Sequence, residues 1–122
     1  MDISLDTNAG DFQVRSYKDR AILINDREFR EPLTVSLNKL AQHSLPETVE
    51  AITVNVLKEL NIQDYEAVLF GTGPELIQPS WEIIEAAQMM GAPLEVMSTG
   101  AACRTFTILS SEGRQVLAIL YP

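Results

Sequence analysis

Apolar and polar residues alternate along Phe12-Gln13-Val14-Arg15-Ser16-Tyr17, the period of a strand with one wet face and one face on a core. Lys18-Asp19 reads as a turn, and Ala21-Ile22-Leu23-Ile24 as a buried strand. Asn25-Asp26 supplies turn chemistry before a short return through Phe29. Leu33-Thr34-Val35 predicts a further strand. Leu40 to Glu50 fits no single pattern, and Pro46 argues against a continuous helix there. Thr53 is placed to cap a short helix through Leu60, with Val54, Leu57 and Leu60 on one face.

The second half has longer periods. Tyr65-Glu66-Ala67-Val68-Leu69-Phe70 predicts a strand ending at Gly71-Thr72-Gly73-Pro74. Pro79-Ser80 opens a helix with Ser80 as cap; Trp81, Ile84, Ala87 or Gln88, and Met89-Met90 recur at helical spacing until Gly91. Pro93 to Met97 predicts a second strand. Thr99 then caps another helix, with Ala102, Phe106 and Leu109 on one stripe and Gly113 beyond its end. Gln115 to Tyr121 is nearly all apolar, as in a strand covered on both faces. Strand, helix, strand, helix, strand with short connections predicts an α/β fold. The strands flanking Trp81–Met90 are expected to be parallel, joined by a helical crossover. The N-terminal hairpin adds a small second β layer, giving a three-layer domain around a mixed, largely parallel sheet. The direction of the last strand is left open.

The length of 122 residues suits one domain, and 46% apolar residues suits a packed core. Charge changes the picture more. A net charge of −8, with nine Lys and Arg and no basic run, disfavours nucleic acid and anionic membrane surfaces as partners. No apolar stretch is long enough to cross a bilayer, so no membrane insertion is expected. Met1-Asp2-Ile3-Ser4-Leu5-Asp6 lacks the basic start and apolar core of a signal peptide. Together with the single Cys103, which has no disulfide partner in the chain, this points to a reducing, cytoplasmic setting. One Cys and one His, His43, cannot make a Cys/His zinc site, and no Asp-rich calcium loop is present. The chain reads as metal-free and without cofactor.

In α/β sheets, ligands sit beyond the carboxyl ends of parallel strands. Two loops are predicted there side by side: Gly71-Thr72-Gly73-Pro74-Glu75, and Ser98-Thr99-Gly100-Ala101-Ala102 at the start of a helix. Glycines admit close backbone approach, and a helix N-terminus offers free N–H donors. Such a pair makes a candidate crevice for a backbone or a small anionic ligand. A plain turn and close helix packing explain the same residues. Leu76 stands where a dinucleotide motif needs its third glycine, and no Gly-Lys-Ser/Thr follows. Cys103 lies in the first turns of the helix, where the helix field lowers a thiol pKa; core packing is the simpler reading, since no base is near in sequence. Arg104 is available for an acid or a partner's helix end, or for a plain surface ion pair. Arg114 is placed to cap carbonyls beside Gly113. His43 reads as a surface or turn histidine. Trp81 and Met89-Met90 read as core, with an exposed apolar patch beside the crevice as the other reading.

The run Val68-Leu69-Phe70-Gly71-Thr72-Gly73, then Met97-Ser98-Thr99-Gly100-Ala101-Ala102-Cys103-Arg104-Thr105-Phe106, then Leu109 and Glu112-Gly113-Arg114, resembles the Mth nine-three-eight-like domain family. That family includes the mitochondrial respiratory complex I assembly factor three and an adipogenesis-associated relative. The resemblance implies a three-layer α/β fold across nearly the whole chain. It also implies a binding role without catalysis, with a protein partner. Gly71, Thr72, Gly73, Thr99, Ala102, Arg104 and Arg114 match the family pattern. Ser98 stands where the family often has Asp, and Phe106-Thr107 where it often has Tyr-Asn, which removes polar groups beside the crevice. Two functions follow as expectations. One is a non-enzymatic assembly or accessory factor that binds another protein. The other is a small-molecule binding protein or enzyme, holding an anionic ligand in the crevice between the 71–75 and 98–104 loops. An apolar last strand fits mid-sheet or a pairing across a homo-oligomer.

Overall fold

The computed structural model describes residues 11–122; the reading of Met1–Asp6 lies outside them. Eight strands and three α-helices follow in the order β1 (Val14–Lys18), β2 (Ala21–Ile24), β3 (Arg27–Phe29), β4 (Leu33–Ser36), β5 (Lys39–Gln42), α1 (Val54–Glu59), β6 (Ala67–Gly71), α2 (Trp81–Met89), β7 (Leu94–Met97), α3 (Thr99–Ser111) and β8 (Val116–Leu120), with short 3-10 turns at Val49–Ala51 and Ile62–Asp64. The strands form two sheets, a three-stranded one in the order β1-β2-β3 and a five-stranded one in the order β5-β4-β8-β6-β7.

The five-stranded sheet is the middle layer. β6 pairs in parallel with both β7 and β8, and β8 pairs antiparallel with β4. The last strand is therefore central and parallel to β6, which settles its direction and explains its unbroken apolar run. On one face, α1, α2 and the 3-10 turns bury Leu57, Ile62, Ile83 and Ala87 against Val68, Phe70, Leu117 and Ile119. On the other, α3 and the small sheet bury Phe106, Ala102, Ile22 and Phe29 against Leu69, Ala118 and Leu120. Each large side chain enclosed this way contributes about 1.5–3 kcal/mol, so alternate residues of β6 and β8 anchor opposite layers.

Four local readings change. The first strand runs Val14–Lys18, one residue later than the alternation suggests at its end. Its turn is Asp19-Arg20, both with positive φ, and β1 carries an irregularity between Val14 and Ser16. The unpatterned 40–50 stretch begins with β5, a hairpin partner of β4 across Leu37-Asn38, with Ser36 opposite Lys39. Ser80 sits at the α2 cap position but its side chain makes no cap bond. Ser98, not Thr99, caps α3, accepting from the Ala101 N–H at 3.4 Å. Thr53 does cap α1, accepting from the Val56 N–H at 3.2 Å.

Candidate functional site

The carboxyl ends of the three parallel strands converge. The loop after β6 begins with Thr72-Gly73, β7 runs through Ser98 into α3, and β8 ends beside Tyr121. Thr99, wholly buried as the first residue of α3, ties all three together. Its hydroxyl accepts from the Gly73 N–H at 2.7 Å and donates to the Tyr121 carbonyl. Its own N–H donates to the Gly73 carbonyl at 2.8 Å, and the Tyr121 N–H donates to the Gly71 carbonyl at 2.9 Å. That is why position 99 needs a small hydroxyl side chain inside the fold and cannot also face solvent as a cap.

Both glycines of the first loop serve this closure. A Cβ on Gly71 would lie 3.0 Å from the Thr99 Cα and 3.1 Å from the Ala102 Cβ, so α3 rests directly on the β6 backbone. Gly73 has φ of +109°, a conformation that L side chains rarely adopt. Thr72 is buried, and its hydroxyl donates to the Glu75 carbonyl at 2.7 Å while accepting from the Ile77 N–H at 2.9 Å. The loop is thus stapled to itself and to α3. These bonds join the two loops to each other at the edge where many α/β folds hold a ligand.

The nine candidate residues accordingly separate into three places. Gly71, Thr72, Gly73, Thr99 and Ala102 make the packed knot. Gly100, Cys103 and Arg104 border an open groove against β1, lined on its other wall by Arg15, Ser16 and Tyr17. Arg114 is at the far end of α3, where its side chain pairs with Glu66 at 3.4 Å; it cannot join Arg104 in one site. It is the Arg114 N–H, not its guanidinium, that meets a helix carbonyl, that of Leu109 at 3.2 Å.

The groove's chemistry is modest. Cys103 is 5% exposed, and burial pushes its thiol up to about 11 against the opposing pull of Arg104. Desolvation therefore outweighs the helix field that the sequence suggested. Tyr17 is also raised, by burial first, with Arg20 lowering and Cys103 raising it. Its buried hydroxyl meets no hydrogen-bond partner among the described residues. Arg104 is in neither ion pair found among those residues, which are Arg30–Glu28 and Arg114–Glu66. No group of three His, Cys, Asp or Glu among them could hold a metal ion.

A second surface has no counterpart in the core reading of Trp81 and Met89. Trp81 is 71% exposed and Met89 82%, with Leu76, Ile77 and Ile108 also open. The inward face of α2 is Ile83 and Ala87, one helical turn apart. Trp81 was assigned inward because Ile84 follows at helical spacing, but Ile84 is only half-buried. The adjacent pair Ile83-Ile84 gives the sequence two competing stripes. Tyr17 and Arg15, which wall the groove, carried no sequence signal beyond strand alternation.

The fold and the knot at its parallel strand ends define a three-layer α/β protein whose carboxyl edge is tied together by hydrogen bonds. The chain belongs to the family described as Protein of unknown function (DUF498/DUF598), whose model matches residues 14–121. It is 31% identical to NADH dehydrogenase [ubiquinone] 1 alpha subcomplex assembly factor 3 of Danio rerio over 113 residues, covering 89% of this chain and 63% of that protein. This chain therefore spans under two thirds of that relative. It is 25% identical to a Francisella tularensis protein called 13 kDa major membrane protein, with 87% of each chain covered. A Bordetella pertussis solution structure described as a Mth938-like domain shares the fold, with a TM-score of 0.72 and 23% identity over 91% of this chain and 85% of that one. Among the described residues, no helix is long and apolar enough to cross a membrane.

Proposed function

We propose that this chain is a non-catalytic protein-binding module, acting as an accessory or assembly factor for a multi-subunit complex in the cytoplasm. The observation that carries the reading is its 31% identity to an assembly factor across 89% of its length. The site chemistry supports it. The parallel strand ends are closed on themselves, and the one thiol is buried with its pKa raised to about 11, unsuited to nucleophilic work. Leu76 and Ile77, which follow the 71–75 loop, and Trp81 and Met89 on α2 stand open, as a contact surface requires. An NADH dehydrogenase-type complex is the first to examine, because that is what the named relative assembles.

The test is gentle recovery of the tagged chain at native expression level, with quantitative mass spectrometry of what accompanies it. Arg104→Glu and Trp81→Glu run alongside; both residues are exposed and make none of the bonds of the knot. A specific protein lost in either variant supports the reading. Recovery of the chain alone from every condition refutes it, and fractionation of the same cells tests the cytoplasmic assignment.

A second reading has one observation in its favour. Arg15 and Arg104 both line the groove between β1 and α3, giving an anion two guanidinium groups to meet. A saturable rise in melting temperature with a metabolite anion, lost in Arg104→Glu, supports a small-molecule site there. No shift across a broad anion and nucleotide panel counts against it.

A further inference from the structure

From the free edge of β7 and the apolar groove beside it, we infer that this protein takes up an extended, apolar segment of a partner flanked by Lys or Arg, added as a sixth strand. The inference rests on the protein-binding reading and gives it a surface and a partner chemistry.

Among the described residues, β7 is the last strand of the five-stranded sheet, with β6 on one side only. The Thr72 N–H donates to the Met97 carbonyl at 3.0 Å, so Met97 and, by alternation, Glu95 aim their backbone groups inward at β6. Leu94 and Val96 aim theirs outward, at an unpaired edge. The opposite edge of the sheet, β5, is shielded by Lys39 in the way edge strands commonly are. β7 has no such cation, no proline within it and no irregularity in its register with β6. Its side chains complete a receiving surface. Leu94 and Val96 line a groove with Trp81 and Ile84 of α2, closed at one end by Gln78 and Pro79. A strand laid along β7 would make main-chain bonds to Leu94 and Val96 and drop alternate side chains towards Trp81.

Charge selects the occupant. No Lys or Arg lies between Lys58 and Arg104 in the sequence, while Glu75, Glu82, Glu85 and Glu95 do, and all four are exposed. Glu85 follows Trp81 by one helical turn and so sits on the groove's rim, and Glu95 is the only charge on β7 itself. The basic side chains gather instead on the small sheet and its turns, at Arg15, Lys18, Arg20, Arg27 and Arg30. Two copies joined edge to edge at β7 would bring Glu95 to Glu95 and one acidic rim to the other, which opposes a symmetric dimer. A strand with basic flanks meets complementary charge at Glu85 on the groove's rim, in a region with no basic side chain of its own.

The experiment uses the purified full chain and two synthetic peptides with the same alternating valine core, one flanked by Lys and Arg, the other by Glu. Binding is read by Trp81 emission, since it is the only tryptophan, and by amide hydrogen exchange. The basic peptide is expected to bind saturably and shift the emission to the blue. It should slow exchange at Leu94 and Val96, and bind about tenfold tighter than the acidic one. Glu82→Lys with Glu85→Lys changes only exposed side chains and should reverse that order. Val96→Pro removes an outward N–H and no ladder bond, and should abolish binding by both peptides with circular dichroism unchanged. Equal affinity for the two peptides, no saturation by either, or protection of Leu94 and Val96 by self-association overturns the inference. A cellular partner that stays with Val96→Pro also overturns it while leaving the protein-binding reading intact; recovery of no partner at all sinks that reading instead.

Discussion

Replacing Thr99 by Val isolates the knot that closes the parallel strand ends. Valine matches threonine in shape, so packing against Gly71 and Ala102 is retained while the hydroxyl is lost. The Gly73 N–H and the Tyr121 carbonyl then lose a shared partner inside the fold. Leaving a buried polar group unpaired costs about 1–3 kcal/mol, so two of them predict a loss of about 2–6 kcal/mol. That is a large share of the roughly 5–15 kcal/mol that holds a protein of this size folded. Thr99→Ser is the control. It keeps the hydroxyl and removes one methyl group, worth about 1 kcal/mol. Urea unfolding followed by far-ultraviolet circular dichroism measures both, because exposed Trp81 reports poorly on the core. The valine variant should lose at least about 0.3 M in midpoint relative to the serine variant, with an unchanged slope. If valine matches or exceeds serine in stability, the hydroxyl is not what joins the three strand ends, and the account of the closed edge fails.

Gly71→Ala should cost about 1–3 kcal/mol in the same assay, because the new Cβ meets the Thr99 Cα at 3.0 Å and helix backbone cannot turn aside; a neutral result means α3 can lift off β6. The Cys103 thiol, raised by burial to about 11, should react with a disulfide reagent at pH 8 orders of magnitude more slowly in the native chain than in urea. Because the folded value exceeds the unfolded one, the native state holds the proton longer, and the stability this confers is complete below the ordinary thiol range and lost as pH rises through about 11. Subtracting the pH profile of Cys103→Ala from that of the natural chain should show that loss, and parallel profiles contradict it. Trp81→Ala should change stability by less than about 0.5 kcal/mol, and Trp81 emission should move little on unfolding, as its 71% exposure requires; a large blue-shifted native signal would place it in a core.

The sequence made the strands legible wherever one signal dominated. β6 and β8 are unbroken apolar runs, and only strands covered on both faces need that pattern. β5 was hidden because Lys39-Leu40-Ala41-Gln42 is a short edge strand with one buried residue, Leu40, and Leu37-Asn38 lacks the glycine that flags a tight hairpin. The candidate crevice shows a different limit. Glycine, threonine and a helix start identify two loops that approach each other, and the structure does bring them together. Whether such loops enclose a ligand or each other depends on where the Thr99 side chain points. A side chain one residue past the cap turns inward rather than along the helix axis, and only the choice of Ser98 over Thr99 as cap decides that. Arg114 was grouped with Arg104 by motif membership, and the length of α3 then separates them.

The closed knot and the open edge are consequences of the same short segment. Met97 ends β7 with its carbonyl held by the Thr72 N–H, Ser98 caps α3, and Thr99 is locked to Gly73 and Tyr121. The inward side of β7 is therefore fixed at its carboxyl end by buried hydrogen bonds, and the strand cannot drift to satisfy its own outer edge. A rigid edge is a better template for an added strand than a mobile one, because less ordering entropy is lost when the partner docks. It follows that weakening the knot should weaken docking without touching the groove. Thr99→Val, at a residue that does not line the groove, should reduce affinity for a basic strand peptide even under conditions where the variant remains folded. Thr99→Ser should bind as the natural chain does. Equal binding by all three would mean that the edge is set by β6 pairing alone.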